Sequence, residues 1–135
     1  MPYCRAVINL YINERRAGDV TILDLKGRLR FGGNTVALHR SIRSLILEKK
    51  IRIVIDLEGV TYIDSCGLGE LVASQVSVEN KGGKIKLIGL TETLRELLTI
   101  TRVLTIFDTY ENEADAVHDF GERVSPLEKP QLTFA

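Results

Sequence analysis

From Ile8 onward the chain alternates, with Ile8, Leu10 and Ile12 taking turns with Asn9, Tyr11 and Asn13. A period of two sets one face on a core and the other in water, so this run reads as a half-buried strand near a sheet edge. RRAGD at 15–19 places a glycine in a polar turn, and VTILDLK at 20–26 returns with β-branched residues, which predicts a hairpin that Gly27 ends. After GRLRFGGN the period becomes helical. Over 35–50, Leu38, Ile42, Leu45 and Ile46 share one face and Arg40, Arg43 and Lys49 the other, with Asn34 or Thr35 as the expected cap.

IRIVIDLEGV at 51–60 has three consecutive apolar residues at 53–55, the mark of a strand covered on both faces. A helix follows with Leu68, Leu71, Val72 and Val76 on its expected inner side, stopped by Asn80, Gly82 and Gly83. KIKLIGL starts another strand, and TETLRELLTI at 91–100 offers Thr91 as a cap and Leu94, Leu97 and Leu98 as a buried stripe. A short strand near LTIFDTY and a helix near ENEADAVHDFGE complete the order, and Pro126 and Pro130 predict a loose tail. Strands separated by helices imply parallel neighbours joined by right-handed crossovers. The expected fold is a small α/β sandwich, a mostly parallel sheet of roughly four to five strands with an antiparallel first strand and about four helices. One domain over 1–122 and a flexible tail over 123–135 account for the chain.

Composition narrows the chemistry. Lys plus Arg and Asp plus Glu each total 18, so net charge provides no pull toward nucleic acid or an anionic membrane. Residues 1–52 carry 11 basic and 4 acidic side chains, against 7 and 14 over the rest, and in one sheet the two halves are expected to interleave. Cys4 and Cys66 lie far apart, and neither they nor His39 and His118 stand at metal-ligand spacing. No signal-peptide pattern or membrane-length apolar run is present, so a soluble cytoplasmic protein is expected.

TYIDSCGLGE at 61–70 concentrates an acid, a hydroxyl, a thiol and two glycines between a strand and a helix, at the sheet edge where α/β folds bind ligands. A nucleophile elbow needs glycine two residues before its serine, and Ile63 stands there instead. GLGELV lacks the third glycine of a dinucleotide fingerprint, and KGGKI lacks the Ser/Thr of a phosphate loop. Both histidines fall on predicted helices as surface residues, which leaves Ser65 without a base. A structural reading assigns Asp64 or Ser65 as helix cap, Gly67 to close approach of strand and helix, and Glu70 to folding back on the first turn. On that reading Cys66 is a small packing residue.

IVIDLEGVTYIDSCGLGELV followed by GGKIKLIGLTETLRELLTITRVLTIFDTYENEADAV resembles the STAS domain of bacterial anti-sigma factor antagonists, over most of residues 7–120. The resemblance implies that Ser65, directly after Asp64, is phosphorylated by a partner that is both an anti-sigma factor and a serine kinase, and that a serine phosphatase resets it. The unphosphorylated form would bind that kinase and free the sigma factor, with Asp64, Ser65, Cys66, Gly67 and Leu68 at the contact. It implies no catalytic residue, metal or cofactor of its own, the nucleotide belonging to the partner, and no direct contact with nucleic acid or membrane. A STAS scaffold subunit of a signalling complex, an accessory subunit of a lipid transporter, and a small nucleotide-binding or hydrolytic enzyme are the alternatives. Two positions depart from the family. Cys66 follows the serine where a hydroxyl or alanine is common, and Gly27-Arg28-Leu29-Arg30 stands where the family often has Gly-x-Leu-Asp, which bears on the choice of partner.

Overall fold

The computed structural model describes residues 10–121. Ile8, Cys4 and the expected tail lie outside them. The elements are β1 (Leu10–Ala17), β2 (Val20–Leu29), α1 (Gly33–Leu47), β3 (Arg52–Ile63), α2 (Ser65–Asn80), β4 (Lys84–Ile88), α3 (Glu92–Ile100), a single 3₁₀ turn (Val103–Thr105), β5 (Asp108–Tyr110) and α4 (Glu113–Asp119). The described strands form one sheet in the order β1-β2-β3-β4-β5. β1 runs antiparallel to β2, in register from Leu10 opposite Gly27 to Ala17 opposite Val20, and every later pairing is parallel. This is the α/β sandwich that the alternation of strands and helices predicts.

The sheet has two unequal faces. Leu23, Leu25, Ile53, Ile55, Ile85 and Leu87 form the main core with Leu38, Ile42 and Leu45 of α1, Leu68, Leu71 and Val78 of α2, and Leu94 and Leu98 of α3. The in-between positions Val20, Ile22, Val54 and Ile88 face the other way, onto Ala116 of α4. Residues 53–55 are buried throughout because each face is covered. With so little apolar contact, α4 is also held by ions. Arg15 bridges Asp24 at 2.6 Å and Glu113 at 2.6 Å, and Lys86 reaches Asp119 at 3.2 Å while lying 4.1 Å from the centre of the Phe120 ring. The Arg15 bonds hold the Asp24 carboxyl below the usual carboxylate range. Of these bridges, Arg15–Glu113 brings a base of the first half against an acid of the second.

Three expectations are corrected. β2 does not end at Gly27 but continues to Leu29, because Gly27 takes φ 115 at a register shift between Gly27 and Arg28 and lets the strand resume. Neither Asn34 nor Thr35 caps α1. Gly32 is its N-cap at φ 108, Asn34 is buried and donates to the Arg28 carbonyl at 2.6 Å, and Thr35 donates to the Gly32 carbonyl at 2.9 Å. The inner face of α2 is rotated from the apolar stripe expected, so that Val76 is exposed while Ser74 and Gln75 are buried.

Gln75 explains the rotation. β4 pairs with β5 only over Lys86–Ile88, so Ile85 lies beyond the end of the neighbouring strand. The Gln75 amide fills that gap, accepting from Ile85 N at 2.9 Å and donating to Ile85 O at 3.0 Å and Ile106 O at 3.2 Å. A buried amide bonded on both ends stands in for a strand residue. Gln75→Leu keeps an apolar volume but strands these backbone groups. It is expected to cost about 1–3 kcal/mol in urea denaturation, whereas Val76→Gln one position away should stay within about 0.5 kcal/mol.

Candidate functional site

The turn at 64–67 is built where three segments meet, namely the end of β2, the end of β3 and the start of α2. Asp64 is the N-cap of α2, with extended backbone (φ −111, ψ −175), and its Oδ1 accepts from Gly67 N at 2.9 Å. Its second oxygen accepts from Phe31 N at 3.0 Å, in the loop that leads into α1, and Asp64 N donates to the Leu29 carbonyl at 3.3 Å. The Phe31 N–H first, and the Gly67 N–H next, hold the Asp64 carboxyl below the usual carboxylate range. It is therefore ionised at neutral pH, at the positive end of the α2 dipole.

Of the two cap candidates, Asp64 takes the cap. Ser65 is exposed, and its hydroxyl makes no hydrogen bond among the described residues. Cys66 is exposed as well, so the expectation that it packs against the fold is corrected. The helical repeat explains this, since Gly67, Leu68 and Leu71 occupy the inner face and positions 65 and 66 point away from it. Leu68 is only 9% exposed and belongs to the main core. Among the five expected contact residues, Ser65 and Cys66 are on the surface, Asp64 is half-buried, and Gly67 and Leu68 lie behind them.

Gly67 has the role expected of it. Its φ is not positive, but a Cβ there would overlap the Leu29 carbonyl oxygen and stand 2.9 Å from the Leu29 carbonyl carbon and 3.0 Å from Ile63 Cγ1. Gly69, two residues on, has open space around it. Glu70 does not fold back on the first turn. It meets His39 Nδ1 at 3.2 Å and accepts from the Ser74 hydroxyl at 3.4 Å, which joins α2 to α1. A groove of about 350 Å³ between these helices is lined by His39, Ile42, Ile46, Glu70 and Ser74, and neither Ser65 nor Cys66 lines it. Among the described residues, no three His, Cys, Asp or Glu side chains come together as metal ligands.

What the residues do not signal in advance is which large apolar side chains of the neighbouring segments stay in solvent. Phe31 is 77% exposed, Tyr62 is 50% exposed, and Val36 is also open. Large apolar side chains that the fold leaves in solvent cannot be told from core residues by pattern alone.

A serine displayed on a helix start, with its capping delegated to the preceding aspartate, sits on a fold that defines a family. The STAS domain model matches residues 11–116, and the chain belongs to that family. The anti-sigma F factor antagonist of Paenibacillus polymyxa is 24% identical over 110 residues, covering 82% of this chain and 94% of that protein. The anti-sigma-B factor antagonist of Bacillus subtilis (strain 168) is 42% identical over 52 residues, 38% of this chain and 48% of that one. The Bacillus cell fate determinant SpoIIAA, solved in its phosphorylated form, superposes with a TM-score of 0.64 at 16% identity, over 82% of this chain and 99% of that one.

Two substitutions separate the glycines. Gly67→Ala is expected to destabilise by about 1–3 kcal/mol because backbone must move, while Gly69→Ala should be neutral or stabilising by up to about 1 kcal/mol, since alanine favours a helix and meets nothing. Thermal or urea melts of both check this. The Asp64 contribution has a defined pH window. A carboxyl held low in the folded chain stabilises it above the unfolded value of about 4 and ceases to do so as pH falls through the lower folded value. The difference in melting temperature between the wild type and Asp64→Ala should therefore stay level from pH 7 down to about pH 5 and shrink as the pH falls further, through the unfolded value and on through the lower folded one.

Proposed function

We propose that this chain is an anti-sigma factor antagonist whose unphosphorylated form binds an anti-sigma factor that is also a serine kinase, freeing the sigma factor, and that phosphate on Ser65 ends this binding. The observation that carries the reading is the division of work between Asp64 and Ser65. Asp64 does the capping, so the neighbouring hydroxyl is exposed and can be modified without removing a bond the fold needs. The names of the two relatives, and the solved phosphorylated form of SpoIIAA, agree with it.

The physics of the switch follows from charge. A phosphate adds about −1.5 to −2 charges and strong acceptor oxygens at a helix N-terminus, which tolerates them. The partner surface fits a neutral hydroxyl next to the Asp64 carboxylate. Burying a dianion there costs more than the few kcal/mol that separate tight from negligible binding. The chain acts here as a binding protein in the cytoplasm. It performs no catalysis itself, the kinase brings the nucleotide, and a separate serine phosphatase restores Ser65. Ser65 and Cys66 make the contact, while Asp64, Gly67 and Leu68 hold the turn in shape from behind.

The experiment captures partners from an extract of the source cell on the Ser65→Ala protein and identifies the bound anti-sigma factor by mass spectrometry. Incubating that kinase with ATP and the wild type should place one phosphate, on Ser65. Calorimetry should then show binding for the wild type and Ser65→Ala and none for the phosphorylated protein. A phosphate on another residue, or equal affinity before and after modification, would refute the mechanism.

A further inference from the structure

We propose that the face around Ser65 docks on an acidic surface of its partner, with Phe31 as the apolar anchor and Arg28 and Arg30 as the charges that select it, and that phosphate acts by cancelling this positive field. The proposal rests on the reading of Ser65 above and specifies what kind of partner fits.

Charge points to the partner. From Lys26 to Leu47 the chain carries Lys26, Arg28, Arg30, Arg40 and Arg43 and no acidic residue, the next acid being Glu48. The fold brings the 28–31 part of this stretch to the Ser65 turn, and α1 carries the rest alongside α2. Leu29 accepts from Asp64 N, Phe31 N donates to Asp64 Oδ2, and His39 on α1 meets Glu70 on α2. Arg28 is the register partner of Tyr62 across β2 and β3, and Arg30 adjoins Phe31. The side chains of Lys26, Arg28, Arg30, Arg40 and Arg43 make no hydrogen bond or ion pair among the described residues. The Asp64 carboxylate keeps its charge but turns it onto two backbone N–H groups of the protein, and Glu70 is turned onto the neighbouring side chains of His39 and Ser74.

Uncommitted arginines beside exposed aromatic rings are the composition of the energetically dominant part of protein interfaces. A phenylalanine 77% in solvent, with its backbone pinned to Asp64, is a pre-ordered anchor that loses little freedom on binding. Arg28 and Arg30 beside it repel basic surfaces and attract acidic ones, which sets partner choice and the rate of encounter. A phosphate of about −1.5 to −2 charges on Ser65 then offsets roughly two of these arginines. Arg30→Glu changes local charge by the same amount at a neighbouring point, without modifying Ser65.

The test uses the anti-sigma factor captured on Ser65→Ala, purified and titrated by calorimetry against the full chain and its variants. Wild-type affinity should fall at least roughly tenfold between 50 and 300 mM NaCl. Arg30→Glu and Phe31→Ala should each weaken binding roughly tenfold or more, and Arg30→Lys should restore most of it. Arg95→Glu, an equal charge change on exposed α3, should bind as the wild type does. Thermal melts show that each variant folds, and Arg30→Gln replaces Arg30→Glu if the reversed charge unfolds the loop. Binding of Arg30→Glu within about twofold of wild type, or affinity insensitive to salt, overturns the acidic-partner proposal and leaves the Ser65 switch standing. If no anti-sigma factor is captured at all, the switch fails and the proposal with it.

Discussion

The Asp64 carboxylate is the constraint on which the functional end of the molecule depends. One oxygen holds the first turn of α2 and the other holds the loop after β2, while its backbone N–H bonds the last residue of β2. Gly67 permits this convergence because a side chain there would occupy the space of the Leu29 carbonyl. Two stretches distant in sequence, 29–31 and 64–67, thus become one rigid corner, and Ser65 is carried on it. A hydroxyl that had to cap the helix would be committed to a backbone N–H, and modifying it would break the helix start. Giving the cap to the aspartate separates holding the turn from presenting the serine.

Ionic contacts play a different part on the opposite face of the sheet. α4 spans only Glu113–Asp119, too short to stand alone and with a single fully buried residue, Ala116. Arg15 and Lys86 tie it to the sheet, and the Asp119 carboxylate also accepts from the Tyr110 hydroxyl. Desolvation raises the Asp56 carboxyl above its usual range, while the Arg15 bonds lower that of Asp24, its register partner on β2.

Much of this is legible in the residues because each local signal agrees with the fold. The period of two in β1, the apolar run at 53–55, the Thr91 cap and the leucine stripe of α3 each have one physical explanation, and the structure has them. The Thr91 hydroxyl accepts from Leu94 N at 3.2 Å, as its position before the stripe implies. The misreadings occur where a polar residue does something that hydropathy does not encode. Gln75 is buried because it completes the β4 ladder, and the helix turns to put it there, which exposes Val76 and defeats a stripe drawn from apolar residues alone. Asn34 is spent on the Arg28 carbonyl rather than on a helix end, because the bulge at Gly27 leaves that carbonyl needing a donor nearby. Glu70 finds its partner 31 residues away on α1, a distance at which sequence spacing carries no information. The small size of Cys66 suggests packing, whereas the helical phase decides its exposure. The motif at 64–67 is recognisable as a site from its residues, but the allocation of roles within it requires coordinates.

That helical phase has a source inside the protein. A helix laid on a sheet by apolar contacts alone can roll about its axis, since one leucine or valine can replace another against the same surface. The Gln75 amide removes this freedom, because its three hydrogen bonds to Ile85 and Ile106 are satisfied at a single azimuth. Ser65 lies ten residues, nearly three turns, before Gln75 on the same rigid rod. The direction in which the serine faces the outside world is thus indexed by a side chain buried on the far side of the core, where no partner can touch it.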